Sequence, residues 1–273
     1  MRMTAAVSAE QIVLSYGTKV ALAESSFLIP KGGVTAVIGP NGSGKSTLLS
    51  AIAGLIEPSE GRLVVDVAPR RLSYVLQSTK VNDVLPVTVR EVVAMGRFAV
   101  VGPFRRLGDD DQAAIDLAMM RMGIEDLAAS HLTELSGGQR QRTFVAQGIA
   151  QDHDILLLDE PLTGIDLITA QAIDEAIHEE SSEGCTVIMT THDLSEARIA
   201  DHVVLLSGQV VASGEPGEVL TESNLVEAYG PSLLHVEKGR VFLDDPAHSP
   251  VGGAHSHRDR SIHTESDPED LHG

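Results

Sequence analysis

One cysteine, Cys185, is present among the 273 residues, so no disulfide can form within the chain. It lies in the apolar run Cys185–Met189, where it reads as a small buried core residue, and such cysteine usage suits a reducing compartment. Long hydrophobic runs are also missing. The longest, such as Ile155–Leu158 and Val203–Leu206, have the length of buried strands and fall far short of the roughly 20 residues of a membrane-spanning helix. The N-terminal stretch has no apolar segment followed by a small-residue cleavage site, so no signal peptide is expected there. A protein of this kind serves a membrane only by docking onto the helices of another. Basic residues are few: 20 Lys and Arg stand against 39 Asp and Glu, a formal net charge of -19. That balance argues against a general affinity for nucleic-acid phosphates, which need a basic face. No internal repeat is visible.

What is present is ordinary globular material, 42% hydrophobic and 22% charged, in a length sufficient for one large domain with appendages. Residues 12–37 read as short extended segments with turns at Tyr16-Gly17 and Pro30–Gly33. A β-branched run over Gly33–Ile38 ends in Gly39, and Lys45–Ala53 reads as a helix closed by Gly54. Strands are expected at Arg62–Val67 and Leu72–Leu76. From about Val87 to Ala129 the period becomes helical, with Val89, Val92, Val93 and Met95 on one face and a second helix over Asp109–Met122 opened by three aspartates. A helix from Ser136 to about Ala150, strand Ile155–Leu158, helix 167–180, strand 186–190, helix 194–200 and strand 202–206 then alternate. Such alternation implies an α/β fold with a mainly parallel sheet covered on both faces, interrupted by a helical insertion at about 85–135. Residues 244–273 are rich in His, Asp, Ser, Pro and Gly with almost no apolar side chains. They cannot bury enough surface to offset their ordering entropy and are expected to be a disordered tail after a domain over 1–243.

Three strings carry chemistry. Gly39-Pro40-Asn41-Gly42-Ser43-Gly44-Lys45-Ser46-Thr47 fits the P-loop pattern G-x-x-x-x-G-K-[ST], placed between a strand and a helix. Its glycines let backbone N–H groups turn toward an anion at the helix N-terminus. Lys45 would reach the β- and γ-phosphates of a nucleoside triphosphate, and the Ser46 hydroxyl would ligate Mg²⁺. Ile155–Leu158 delivers Asp159 and Glu160 at the C-terminal end of a buried strand, Asp159 to hold the metal and Glu160 to polarise the attacking water. Leu135-Ser136-Gly137-Gly138-Gln139 opens a helix and makes a second anion-binding N-terminus far along the chain, which suggests that two chains share their nucleotides.

The last string resembles the signature motif of ABC ATPases, and its position between a P-loop and an Asp-Glu strand makes the resemblance specific. It covers roughly residues 8–235. It implies a P-loop ATPase core with an N-terminal antiparallel β subdomain and an inserted helical subdomain, active as an ATPase with ATP and Mg²⁺ as ligands. By the same resemblance, Tyr16 stacks on adenine and Gln77 contacts Mg²⁺ and water where the helical insertion begins. Asp166, in Pro161-Leu162-Thr163-Gly164-Ile165-Asp166, reaches across a dimer, and His192, in Thr190-Thr191-His192-Asp193, senses the γ-phosphate. Subunits of this kind close head-to-tail as a homodimer, each ATP lying between the P-loop of one chain and the Ser136–Gln139 helix end of the other. They dock on an integral membrane permease at its cytoplasmic face.

The cargo is less directly marked. Asp83–Arg97 (DVLPVTVREVVAMGR) resembles a run in bacterial importers of zinc, manganese, iron chelates and cobalamin, which work with an extracytoplasmic binding protein. Gly164-Ile165-Asp166 resembles the zinc and manganese branch. A transition-metal importer is therefore expected, with an importer of iron-siderophore, haem or cobalamin, or an exporter, as alternatives. An ABC ATPase without a membrane role would carry coiled coils, zinc modules or tandem ATPase domains, none of which is seen. In the tail, His248, His255, His257 and His263 with nearby carboxylates could bind metal loosely. Their spacing is not that of a fixed tetrahedral site, and a solvated tail with incidental histidines is the preferred reading.

Overall fold

The computed structural model describes residues 4–76, 86–102 and 105–231, with the backbone of Leu234–Glu237 and Arg240–Leu243. Strand β1 (Ala5–Tyr16) turns through a tight hairpin into β2 (Lys19–Pro30), and β3 (Val34–Ile38) follows. β4 (Glu60–Val65) pairs with the free edge of β1, giving an antiparallel sheet in the order β2-β1-β4. The second sheet combines β3 with β5 (Leu72–Val75), β6 (Ile155–Leu158), β7 (Thr186–Thr191), β8 (His202–Leu206) and β9 (Val210–Gly214). Its order is β5-β6-β7-β3-β8-β9, and every pair is parallel except β8 with β9.

These central strands are apolar along their whole length because both faces are covered, and strand alternation divides their side chains between two cores. Val37, Ile155, Leu157, Ile188 and Val204 face the antiparallel sheet and helix α1 (Lys45–Ile52). Ala36, Leu156, Leu158, Val187 and Val203 face the other way. There they meet α4 (Gly137–Ala150), α5 (Leu167–Ser182), α6 (Leu194–Ile199), α7 (Pro216–Val219) and α8 (Glu222–Tyr229). Strands β10 (Leu234–Glu237) and β11 (Arg240–Leu243) form a hairpin. Cys185 is buried in the second core, as its apolar setting implied.

Between β5 and β6 the chain leaves the sheet for α2 (Val89–Val101), α3 (Asp109–Arg121) and α4. Thr88 and Glu91 start α2 with reciprocal bonds: the Glu91 N–H donates to Thr88 Oγ1 at 3.3 Å, and the Thr88 N–H to Glu91 Oε2 at 2.7 Å. Val89, Val92 and Val93 are buried on α2, but Met95 is 45% exposed, unlike the face expected of it. At about 100° per residue the stripe set by 89, 92 and 93 passes next through 96. Gly96 is the buried residue, and α2 crosses α4 there so closely that a Cβ would lie 2.2 Å from the Gln147 carbonyl oxygen. Arg97 completes the joint, donating from Nε to Asp111 Oδ1 (2.9 Å) on α3 and from Nη1 to the Ala150 carbonyl (3.0 Å) at the end of α4.

Gly96 and Arg97 are thus the packing seam of three helices. Gly96→Ala is expected to cost about 1–3 kcal/mol, the usual penalty of forcing atoms into a closed contact. A lower urea midpoint, with faster amide exchange in α2 and α4 before the β-sheets, is the expected reading. An unchanged midpoint would show that the helices separate freely.

Candidate nucleotide site

Parallel strands β3, β7 and β6 end along one edge of the sheet, and the chemistry-bearing residues follow those ends. After β3 the chain runs through Gly39–Gly44 into α1. Gly39 must be glycine on steric grounds, since a Cβ would lie 2.2 Å from the Leu206 carbonyl oxygen and 2.7 Å from Ser43 Oγ. The loop is held from below: the Gly208 N–H donates to the Ser43 carbonyl (3.1 Å), and the Ala23 N–H to the Gly208 carbonyl (2.7 Å). Lys45 is buried, and its ammonium donates to the carbonyls of Gly39 (2.8 Å) and Pro40 (3.2 Å). Burial pulls the Lys45 pKa down, while the carboxylates of Glu160 and Asp159 work against that.

β6 brings the acidic pair to the same place. The buried Asp159 accepts at Oδ1 from Ser46 Oγ (3.1 Å) and Thr190 Oγ1 (2.6 Å). Glu160 is one of two non-glycine residues among those described with a left-handed backbone, at φ 49°. Such a conformation costs on the order of 1–3 kcal/mol and is kept only where surroundings enforce it. Here the Glu160 N–H donates to Thr190 Oγ1 at 2.8 Å. Thr190 therefore orders both acids, one through its proton and the other through its oxygen.

Tyr16, Lys19, Asn41, Lys45, Ser46 and Glu160 line a cleft of about 320 Å³. Tyr16, at the end of β1, is 55% exposed and forms its open wall. His192 follows β7, which lies between β6 and β3, so it emerges between the acidic pair and the phosphate loop. It is exposed, and its neighbour Asp193 caps α6 by accepting from the Ser195 N–H at 2.7 Å.

The remaining residues singled out from the sequence lie elsewhere. Ser136 caps α4, accepting from the Gln139 N–H (3.2 Å), while Gln139 Oε1 accepts from the Ser136 N–H (2.9 Å). Asp166 caps α5, with Oδ1 accepting from the Thr169 N–H (3.0 Å) and Oδ2 from Thr169 Oγ1 (2.8 Å). Those bonds hold its carboxyl below the usual range. The two helix starts touch at Gly138, where a Cβ would lie 2.6 Å from Thr169 Oγ1 and 2.8 Å from Asp166 Oδ2. Neither group lines the cleft of Lys45 and Glu160. Gln77 and the tail histidines 248, 255, 257 and 263 fall outside the described residues.

Sequence reading passed over Thr190. Its signal was a fully buried threonine closing the apolar strand Thr186–Thr191, where a hydroxyl must find a partner.

The cleft fits a polyphosphate with a hard cation. Ser43 Oγ is buried beneath the loop with no hydrogen-bond partner, and a lysine ammonium stands at the loop's mouth. Ser46 and Asp159 offer the hydroxyl and carboxylate oxygens that magnesium takes. Among the described residues no helix is long and apolar enough to cross a membrane.

Comparison with known proteins agrees with this geometry. The family described as ABC transporter matches residues 22–163, just over half of the chain. A zinc transport system ATP-binding protein of Treponema pallidum is 38% identical over 82% of this chain and 87% of its own length. A manganese transport system ATP-binding protein of Bacillus subtilis is 34% identical, over 87% and 97%. Among solved structures, a dimeric post-hydrolysis state of the ATP-binding cassette MJ0796 with ADP and Pi superposes with a TM-score of 0.67. It is 25% identical, covering 77% of this chain and 98% of that one.

Proposed function

Because this chain belongs to the ABC transporter family as an ATP-binding subunit with ATPase activity coupled to transport, we propose that it powers import of a transition-metal ion, manganese or zinc, through a separate membrane permease. The observation carrying the cargo is that similarity to the zinc and manganese subunits extends over more than four-fifths of the chain. The residues lining the cleft bear on nucleotide and not on cargo.

In this reading the phosphates lie against the N–H groups of Gly39–Thr47, with the Lys45 ammonium moved from the Gly39 and Pro40 carbonyls onto the β- and γ-phosphates. Tyr16 stacks on the adenine. Ser46, Asp159 and Gln77 would hold magnesium, which would supply positive charge to the phosphates. Glu160 takes the proton of the attacking water, and His192 stands beside it toward the γ-phosphate.

Two chains close head-to-tail, the Ser136–Gln139 helix start and Asp166 of each completing the site of the other. The dimeric state of MJ0796 supports that arrangement. The permease, served by an extracytoplasmic binding protein, meets the α2 region, so the chain works as a peripheral subunit at the cytoplasmic face. We assign the ATPase domain to residues 1–243 and an appended His- and Asp-rich segment to 244–273.

Uptake of labelled Mn²⁺, Zn²⁺ and iron by cells carrying wild type or Glu160→Gln tests the cargo. Loss of Mn²⁺ or Zn²⁺ uptake in the variant is expected. Unchanged uptake of both, with loss of iron, haem or cobalamin uptake, would refute the cargo and leave the ATPase in place.

A further inference from the structure

Away from the nucleotide cleft, one group of three potential metal ligands lies together among the described residues: His153, Glu180 and Cys185. They come from three different elements: the turn entering β6, the last turn of α5 and the residue before β7. Their donor atoms Nε2, a carboxylate oxygen and Sγ lie within 4.8 Å of one another. All three side chains are buried, the imidazole to 3% exposure.

Two of the three ligands are already aimed, while the Cys185 thiol donates to the Thr186 carbonyl at 3.7 Å. His153 Nδ1 is 2.5 Å from the Gln151 carbonyl oxygen, which makes Nδ1 the donor and turns Nε2 inward. Nε2 stands 3.2 Å from Glu180 Oε2, an ion pair when the imidazole is protonated, though not aligned as a hydrogen bond. Burial pulls the His153 pKa down, but Cys185 and Glu180 outweigh it and push it up to about 10, so an ion competes with a proton for Nε2. The other carboxylate oxygen, Glu180 Oε1, is held by Arg121 Nη1 at 2.7 Å. Arg121 thus fixes the orientation of Glu180 with Oε2 turned to the imidazole. Exposed Glu179 and Glu183, also paired with Arg121, put carboxylates at the surface beside the cluster.

We propose that His153, Glu180 and Cys185 form a binding site for a borderline-soft divalent ion of the zinc class, with a fourth position for water. One imidazole nitrogen, one thiolate and one carboxylate are the donor types such ions take in three-ligand sites. Coordination uses the thiolate and an unprotonated Nε2, so each ion displaces the thiol proton and any proton on Nε2 to solvent. The site stands on its own side chains and does not depend on which cargo the transporter carries. Through Arg121, at the end of α3, a bound ion would tie the helical layer to α5 and to the strand that presents Asp159 and Glu160.

The single cysteine makes the test selective, because only Cys185 can give a thiolate-to-cobalt charge-transfer band, whatever histidines elsewhere bind. Co²⁺ is titrated into the purified full-length chain under reducing conditions and the near-ultraviolet band followed. Saturation at one Co²⁺ per chain is expected, with displacement by Zn²⁺. The band should vanish in Cys185→Ser, and the affinity should fall at least tenfold in His153→Gln and in Glu180→Gln. Circular dichroism and ATP binding of each variant report whether it folds. Absence of the band from folded wild type at saturating Co²⁺ would overturn the site. So would a band of unchanged affinity in folded His153→Gln/Glu180→Gln, since Cys185 would then be binding without its neighbours.

Discussion

Glu160→Gln is expected to bind ATP with near-normal affinity and to hydrolyse it about 10²–10⁴-fold more slowly, the range removed with a general base. The substitution keeps the shape of the side chain and the backbone N–H bond to Thr190. The strained φ of 49° is therefore still enforced, and the amide occupies the place of the carboxylate. What disappears is the capacity to take a proton from water. Asp159 Oδ1 is already engaged by the hydroxyls of Ser46 and Thr190. Single-turnover hydrolysis alongside equilibrium ATP binding separates the two effects. Equal loss of both would place Glu160 in binding, and normal turnover would place the base elsewhere.

Lys45→Met is expected to show the opposite split, weakening ATP binding roughly tenfold to hundredfold. The ammonium is a charge-assisted donor to phosphate, and such bonds contribute about 1.5–3 kcal/mol each, with 1.4 kcal/mol per factor of ten. Methionine fills a similar volume at this buried position, so the wall of the cleft is preserved. The variant leaves the carbonyls of Gly39 and Pro40 without their side-chain donor. Binding of a fluorescent ATP analogue, with the melting temperature as a control on folding, reads the effect. Unaltered affinity would mean that backbone N–H groups alone hold the phosphates.

Much of the site was legible before any coordinates because its parts are local strings. A β-branched strand, a glycine loop and a helix beginning at Lys45 follow one another over Val34–Ile52, and the placement of Asp159 and Glu160 follows from a four-residue apolar strand. Contacts between distant segments were not legible in this way. Nothing near residue 39 announces that its neighbour is the Leu206 carbonyl, and nothing near residue 159 points to Thr190 as the shared partner of both acids. Met95 illustrates a different failure. Apolar type suggested a buried face, but the helix phase puts glycine there, because α2 and α4 meet backbone to backbone. The elements after β8 were also unassigned in sequence. β9 returns antiparallel after a turn at Gly208 that supports the phosphate loop, so its meaning lies in a pairing and not in a periodicity.

The contact at Gly138 has a mechanical side. With no side chain between them, the start of α4 and the cap of α5 press directly against each other. Movement of either helix start toward the other is resisted at once by that contact. Glycine at position 138 is what lets the joint close, and any larger residue would act there as a spacer that holds the two helices apart.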